Sequence, residues 1–452
     1  LAAITANYDA EQFWADQFRL IISTQAIAED RFDRSFGSPW REESLVDVSL
    51  SAITLDAHKI LRKQSSLQYG LELRTETVES SSLRRSLEDD TVIRDVNSRY
   101  PSKGSSLDSY SAYIQHRYHN IDSSFLWEVG GRWTQRHLFA QFSEEDPIAW
   151  PTPYLLGIEN TSNAFNAATG LRWQRRAWQW RTHLASGFRA PNIDDFAKFR
   201  ENNGFLQIPN PELKPERSIS ADLSLRFQPN SRNFIQLTLY RSWLRDVMVR
   251  ENFQLPDGSA SFVSRGDTLF VQAIVNAESA SVWGLSASFQ QRIRKGLQLE
   301  GQLHYTYGRR DFKLNESESV EVPLDHIPPL YGQLQLNYRK SKWEAGIQWQ
   351  FQARKELDDY AVSGIRKQGE TIVLDREGSS DNLDLTPLDP ATGAFTGSYG
   401  WAIWNLSGAY RIGQFARIRV RVENLLDLHY RPFSSGISAP GRNLVVGLYS
   451  WF

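Results

Sequence analysis

Cysteine is absent from all 452 residues, which excludes a disulfide framework and fits a chain exported through the periplasm, where an unpaired thiol invites oxidation. Long apolar runs are absent too. No stretch approaches the roughly 18 apolar residues that a membrane helix needs, and the mean hydropathy is negative. This excludes helical spans only, because a barrel strand shows lipid at every second residue and a water-lined barrel is hydrophilic on average. The net charge is -2, so there is no basic excess of the kind a nucleic-acid surface requires. Nucleic acid is therefore not an expected partner. Position 1 is Leu rather than Met, and no basic segment followed by a short apolar run stands near the start, so the chain is read as mature, processed or truncated.

Catalytic and metal-binding constellations are missing as well. The eight His are scattered; His116 and His119 lie close in sequence, but no carboxylate accompanies them at a metal-ligand spacing. No glycine-rich loop joins a strand to a helix in the manner of a phosphate site. Neither an enzyme, a cofactor nor a bound metal is expected.

What is present is period-two alternation. In the segment Phe415 to Glu423, Ala416, Ile418, Val420 and Val422 share one face, and Arg417, Arg419, Arg421 and Glu423 share the other. Leu223, Leu225 and Phe227 alternate with Asp222, Ser224 and Arg226. Trp343, Ala345, Ile347, Trp349 and Phe351 alternate with Glu344, Gly346, Gln348, Gln350 and Gln352. A face of Arg and Gln repeated on strand after strand suits a barrel enclosing water. Unpaired guanidinium groups under hydrocarbon are costly, so Arg417, Arg419 and Arg421 are expected to face the lumen. Aromatic residues make up 12% of the chain, and Trp133, Trp178, Trp180, Trp243, Trp343, Trp401 and Trp451 near strand ends read as interfacial girdles.

Connections alternate in length. Short polar turns fall near His119 to Ser123, Arg175 to Ala177, Gln228 to Asn233, Arg294 to Gly296, Arg339 to Lys342 and Arg411 to Gln414. Long loops fall near Val78 to Ser106, Phe142 to Thr161, Ala190 to Glu216, Arg309 to Pro328 and Leu357 to Ser398. That is the pattern of an outer-membrane barrel, with short turns periplasmic and long loops extracellular. The fold expected is all-β, a transmembrane antiparallel β-barrel with about sixteen strands visible, in which the strand near Phe18 to Asp30 comes first and runs outward. Leu444, Val446, Leu448 and Phe452 share a face of the last strand and close it with an aromatic residue, the form of a membrane-insertion signal.

Three stretches carry a family resemblance. They are ASGFRAPN from Ala185 to Asn192 with NPELKPE from Asn210 to Glu216, DHIPPLYG from Asp325 to Gly332, and VENLLD from Val422 to Asp427 running on through HYRPFSSGISAPGRN to Asn443. In order and separation they resemble TonB-dependent outer-membrane receptors. Without the family, Pro191, Pro211, Pro328 and Pro329 read as punctuation, since Pro cannot donate to a sheet ladder. The resemblance implies a 22-stranded barrel with a plugged lumen, of which residues 1–452 are the C-terminal barrel portion, the plug and the first strands lying outside this sequence. It also implies a bacterial outer-membrane location, capture of a scarce nutrient at the outer face and import energised by TonB through the missing N-terminal region. The partners expected are the TonB complex, a small-molecule or metal-chelate ligand and outer-membrane lipid.

Haem-uptake receptors share the FRAP and NPEL boxes and place a His between them, but none occurs from Asn192 to Pro209. Haem held by a His of another loop stays among the expected cargoes, and siderophore-bound iron, cobalamin or another scarce nutrient fits equally. Candidate ligand residues on the long loops are Trp150, Tyr154, Lys198, Phe199, Arg200, Phe205 and Tyr360, whose rings and cations suit an anionic or catecholate ligand; packing of the loops on one another is the alternative role. The competing readings are a plugless diffusion porin and a structural barrel partner in an envelope complex. A secreted all-β enzyme lacks both blade repeats and a carboxylate or His cluster.

Overall fold

The computed structural model describes the chain except residues 11, 149, 151, 203, 256, 265–266, 277–278, 315–317, 363, 369–370, 376–385 and 452. Among the described residues, no helix is long and apolar enough to cross a membrane. Two compact units are distinguished: residues 1–169, 185–218 and 244–277, and residues 170–184, 219–243 and 278–452.

In the first unit, six strands, Ala2–Asp9, Gln17–Asp33, Trp40–Arg62, Ser65–Ser86, Ser105–His119 and Phe125–Ala140, pair antiparallel in that order. Register explains why this sheet suits lipid. Ile4 lies beside Ile22, Ile22 beside Ile53, Ile53 beside Leu73 and Leu73 beside Tyr110, and all five side chains are exposed. Five contiguous apolar residues facing outward have no place in water; hydrocarbon is the solvent that accommodates them.

The opposite face is polar and bonded to itself. Tyr113 donates to Asp56 over 2.6 Å, and Arg132 pairs with Glu72 at 3.3 Å. Gly70 makes the first of these possible. Tyr113 lies across it, and a Cβ there would stand 2.7 Å from the ring and 2.6 Å from the Leu55 carbonyl oxygen.

The second unit contains seven antiparallel strands, Ser279–Arg294, Leu297–Lys313, Tyr331–Lys340, Trp343–Gln352, Trp401–Ile412, Ala416–Glu423 and Asn443–Ser450. Its outward row runs Leu336, Ile347, Leu406, Val422, Leu444 from strand to strand. Its polar face carries a ladder of amides. Gln348 donates to Gln333 at 2.8 Å, and Asn405 donates to Gln348 at 3.2 Å and to Gln350 at 3.0 Å.

Four more strands, Ile158–Arg175, Trp178–Arg189, Glu216–Asn230 and Asn233–Arg245, contribute residues to both units. With them the long strands number seventeen among the described residues, one more than expected. The addition is Ala2–Asp9, whose run AAITANYD alternates weakly, so Gln17–Asp33 is second rather than first.

The short turns lie where the sequence puts them, at 120–124, 176–177, 231–232, 295–296, 341–342 and 413–415, with a further one at 63–64. The loops differ more. Trp40–Arg62 and Ser65–Ser86 have 23 and 22 residues, about twice what a tilted membrane strand requires, so the expected loop start at Val78 is still strand. Likewise the expected loop Arg309 to Pro328 includes the end of Leu297–Lys313 and the strand Ser319–Pro323 paired with it. Serine-rich strand above the membrane reads as loop because water faces it on both sides.

Candidate functional site

The long-loop end of the first unit holds the densest apolar packing. Strand Trp178–Arg189 stops before Pro191, which has no N–H to give, and Asn192 then caps a short helix, Ile193–Ala197. The cap is reciprocal: Asn192 accepts the Asp195 N–H at 2.8 Å and Asp195 accepts the Asn192 N–H at 3.2 Å. Asp195 also receives Arg189 Nη2 on both carboxylate oxygens at 2.7 Å. A second nitrogen of Arg189 reaches Glu216, the last residue of NPELKPE, at 3.2 Å. The two sequence boxes therefore close on each other through one guanidinium.

The second box is tied further on, to a loop the sequence reading missed. Asn210 donates to the Ile274 carbonyl at 2.8 Å, Glu216 accepts the Met248 N–H at 2.7 Å, and Asn276 bonds both the N–H and the carbonyl of Lys214 at 2.8 Å. Residues 248–276 form strands of their own, Met248–Asn252, Ser261–Ser264 and Asp267–Asn276, which join Arg200–Asn202 and Phe205–Ile208 in a small five-stranded sheet. Their period-two signal is the same as that of the barrel wall, so periodicity alone does not separate them.

Two apolar clusters fill the space beneath. Phe142, Tyr154, Ile193 and Phe196 pack on Val46, Val78, Leu107 and Leu138, while Phe199, Leu206, Ile208 and Val271 form the second cluster. Trp150 touches both, with ring centroids 4.1 Å from Phe142 and 5.2 Å from Phe199. This divides the sequence-derived candidates. Tyr154 and Phe199 are buried, the Tyr154 hydroxyl donates to the Pro209 carbonyl at 3.2 Å, and Trp150 donates to Asp146 at 2.8 Å; all three hold the loops together.

Lys198 is committed to Asp194 at 2.9 Å. Burial opposes ionisation of Asp194, but hydrogen bonds from Lys198 and Tyr100 outweigh it and hold the carboxyl below its ordinary range. Burial and the same carboxylate push the Tyr100 hydroxyl up. In the second unit Tyr360 is 1% exposed and lies against the buried Lys355, whose Nζ is 4.9 Å from its ring centre and donates to the Ile327 carbonyl of DHIPPLYG at 2.7 Å.

Arg200 and Phe205 remain outward. Register puts Arg200 beside Gln207 and Phe205 beside Phe270 on one face of the small sheet. The two Phe rings are 6.1 Å apart, and Phe270 is 59% exposed, an aromatic pair held clear of the core that Leu206 and Val271 fill behind it. Phe270 was missed in sequence. Its alternation with buried Leu269 and Val271 is the signal that marks it.

On the polar face of the second unit, Arg417, Arg419 and Arg421 stand opposite Ile418, Val420 and Val422. Arg417 pairs with Glu344 and Arg421 with Glu423 at 3.2 Å. Arg417 and Arg419 border a concavity of about 1300 Å³ together with Arg292, Arg339, Glu300 and Glu344. Leu444, Val446 and Leu448 share the exposed apolar face of the last strand; Phe452 lies outside the described residues. The last motif is a turn built on the buried Asn424, which at φ +47° accepts the Leu428 N–H at 2.9 Å and donates to the carbonyls of Leu428 at 2.8 Å and Pro440 at 3.3 Å. Among the described residues, no group of three or more His, Asp or Glu is arranged to hold a metal.

The family model for the TonB dependent receptor-like β-barrel matches residues 3–425. The chain belongs to that family. The iron-regulated outer membrane virulence protein of Vibrio cholerae is 24% identical over 276 residues, covering 60% of this chain and 37% of the relative. Among solved structures, the copper transporter OprC aligns with TM-score 0.73 at 14% identity, over 99% of this chain and 64% of that one. The siderophore receptor PirA of Acinetobacter baumannii aligns with TM-score 0.65 at 14% identity, over 99% and 62%. The chain thus spans less than two thirds of each. This TonB-dependent receptor barrel is an antiparallel all-β protein of the bacterial outer membrane, and the proteins it resembles are receptors and transporters.

Proposed function

We propose that the chain is the C-terminal barrel portion of a TonB-dependent receptor that captures a ferric siderophore at its long loops and imports it with energy delivered by TonB to an N-terminal plug. The observation that carries the ligand reading is the exposed Phe205 and Phe270 pair with Arg200 on the same face of a sheet braced from behind. Aromatic faces and a guanidinium on a rigid support suit an anionic chelate with catecholate rings. The iron-regulated relative supports iron as the cargo. The portion reading is supported by the edge strands Ala2–Asp9 and Asn443–Ser450, each of which has one sheet neighbour among the described residues.

The test is uptake of radiolabelled iron by iron-starved cells that carry the full-length receptor. Replacing Phe205, Phe270 and Arg200 together by Ala is expected to weaken capture of the cognate ferric siderophore at least about tenfold while leaving the barrel folded. Disabling TonB is expected to abolish uptake. Unchanged uptake of every ferric chelate in the triple variant rules out this ligand surface, and TonB-independent uptake rules out the energised mechanism.

A further inference from the structure

Two hairpins of the second unit end in the same arrangement. One reads Arg175, Arg176, Ala177, Trp178, and the other Lys340, Ser341, Lys342, Trp343. Each has a two-residue turn whose first residue is left-handed, Arg176 at φ +53° and Ser341 at φ +52°. Each has a cation as the last residue of the incoming strand and a Trp as the first of the outgoing one. Lys340 and Trp343 are directly paired across the hairpin and so share its outward, lipid-facing side with Tyr410, the partner of Trp343 on the next strand.

The surroundings match as well. Trp178 is backed by Phe227, with ring centroids 4.6 Å apart, and Trp343 by Tyr410 at 4.5 Å. The turn carbonyl before each Trp is held by the neighbouring hairpin: Gln228 donates to Ala177 at 2.7 Å and Arg411 to Lys342 at 2.9 Å. All four cations are exposed, and among the described residues none is in an ion pair. Neither turn contains a carboxylate.

A Trp at the end of a lipid-facing strand settles at headgroup depth. Here each Trp has one cation at the mouth of its hairpin, Arg175 or Lys340, and a second in the turn, Arg176 or Lys342, one step further from the hydrocarbon at the level of lipid phosphates. We propose that these two hairpin tips are binding sites for the phosphate headgroups of anionic phospholipids in the periplasmic leaflet, with the Trp ring seated at the glycerol level and the paired cations on the phosphate. The leaflet follows from the short turns, which face the periplasm in outer-membrane barrels. The surface is independent of the cargo.

Native mass spectrometry of the full-length receptor, extracted in detergent and supplied with phosphatidylglycerol or phosphatidylethanolamine, tests this. Preferential retention of phosphatidylglycerol is expected. Each cation near an anionic lipid surface is worth about fivefold in attraction, so combining Arg175→Gln, Arg176→Gln, Lys340→Gln and Lys342→Gln is expected to lower that retention at least about tenfold. The charge-preserving set Arg175→Lys, Arg176→Lys, Lys340→Arg and Lys342→Arg keeps it, and the two single-hairpin double variants give intermediate losses should the fourfold variant not insert. Equal retention of the two lipids, undiminished retention in the Gln variants, or equally tight binding of soluble glycerol phosphate would overturn the proposal.

Discussion

Arg189 grips Asp195 with one nitrogen on both carboxylate oxygens, each at 2.7 Å, and its other terminal nitrogen reaches Glu216 at 3.2 Å. The first partner opens the loop that follows its strand and the second ends it. Both carboxylates are 15% exposed while the guanidinium is half exposed, so the pair sits at the rim, where charge-assisted bonds retain part of their strength.

Arg189→Ala is expected to free both ends of the 190–215 loop. Limited proteolysis of the full-length receptor should show faster cleavage within that loop, with the barrel core still resistant. Arg189→Lys should restore protection only in part, because one ammonium cannot reproduce the planar fork. Wild-type resistance of the Ala variant would mean that the apolar cluster around Phe196 holds the loop unaided.

Asn424→Ala removes the three hydrogen bonds of a buried side chain and places Ala at a positive φ. The expected cost is about 2–4 kcal/mol, read as a lower urea midpoint for unfolding from lipid bilayers. Asn424→Gly relieves the backbone but not the lost bonds, so it should fall between the two. A Gly variant as unstable as the Ala variant would assign the whole effect to the hydrogen bonds.

Val420 and Arg419 are sequence neighbours on opposite faces of strand Ala416–Glu423. Val420→Lys puts a charge into hydrocarbon and is expected to cost about 2–4 kcal/mol near the membrane midplane. Arg419→Gln, on the wet face, is expected to stay within about 0.5 kcal/mol of wild type. The same unfolding measurement decides; the reverse ranking would mean that the faces are exchanged.

The pH dependence of the loop end follows from Asp194. Its folded-state carboxyl titrates below the ordinary value of 3.8, so its contribution is complete above that value and is lost as the pH falls through the lower, folded one. Hydrogen exchange over residues 193–199 is expected to accelerate as the pH drops from about 5 to about 3, beyond its intrinsic change. Asp194→Asn should remove that extra acceleration. The same acid response in the Asn variant would assign it to another group, with Glu29, which shares Arg99 with Asp194, the nearest choice.

Much of this was legible in the sequence, for an identifiable reason. A wall with lipid on one side and water on the other imposes strict alternation, and Ile418, Val420 and Val422 against Arg417, Arg419 and Arg421 announce it. Short turns were legible because two-residue hairpins demand turn chemistry, as at Lys295 and Gly296. The long-loop end was less so. Trp150, Tyr154, Phe199 and Tyr360 have the composition of a ligand surface, yet the same rings bury most area when packed on one another, and composition does not reveal which they do. Phe270 escaped because a short strand inside a loop carries the same period as a strand in the wall. The closure of FRAP on NPELKPE through Arg189 depends on long-range geometry that no local pattern contains.

The amide ladder of the second unit sets one stretch of its polar face apart from the stretch nearer the short turns. Gln333, Gln348, Gln350 and Asn405 satisfy one another, so that stretch of wall is neutral and already bonded. Nearer the short turns the same face changes to Arg292, Arg339, Arg417 and Arg419. The polar face is thus graded in charge, from neutral amides that satisfy one another to a net basic stretch in which Glu300 and Glu344 stand among the Arg.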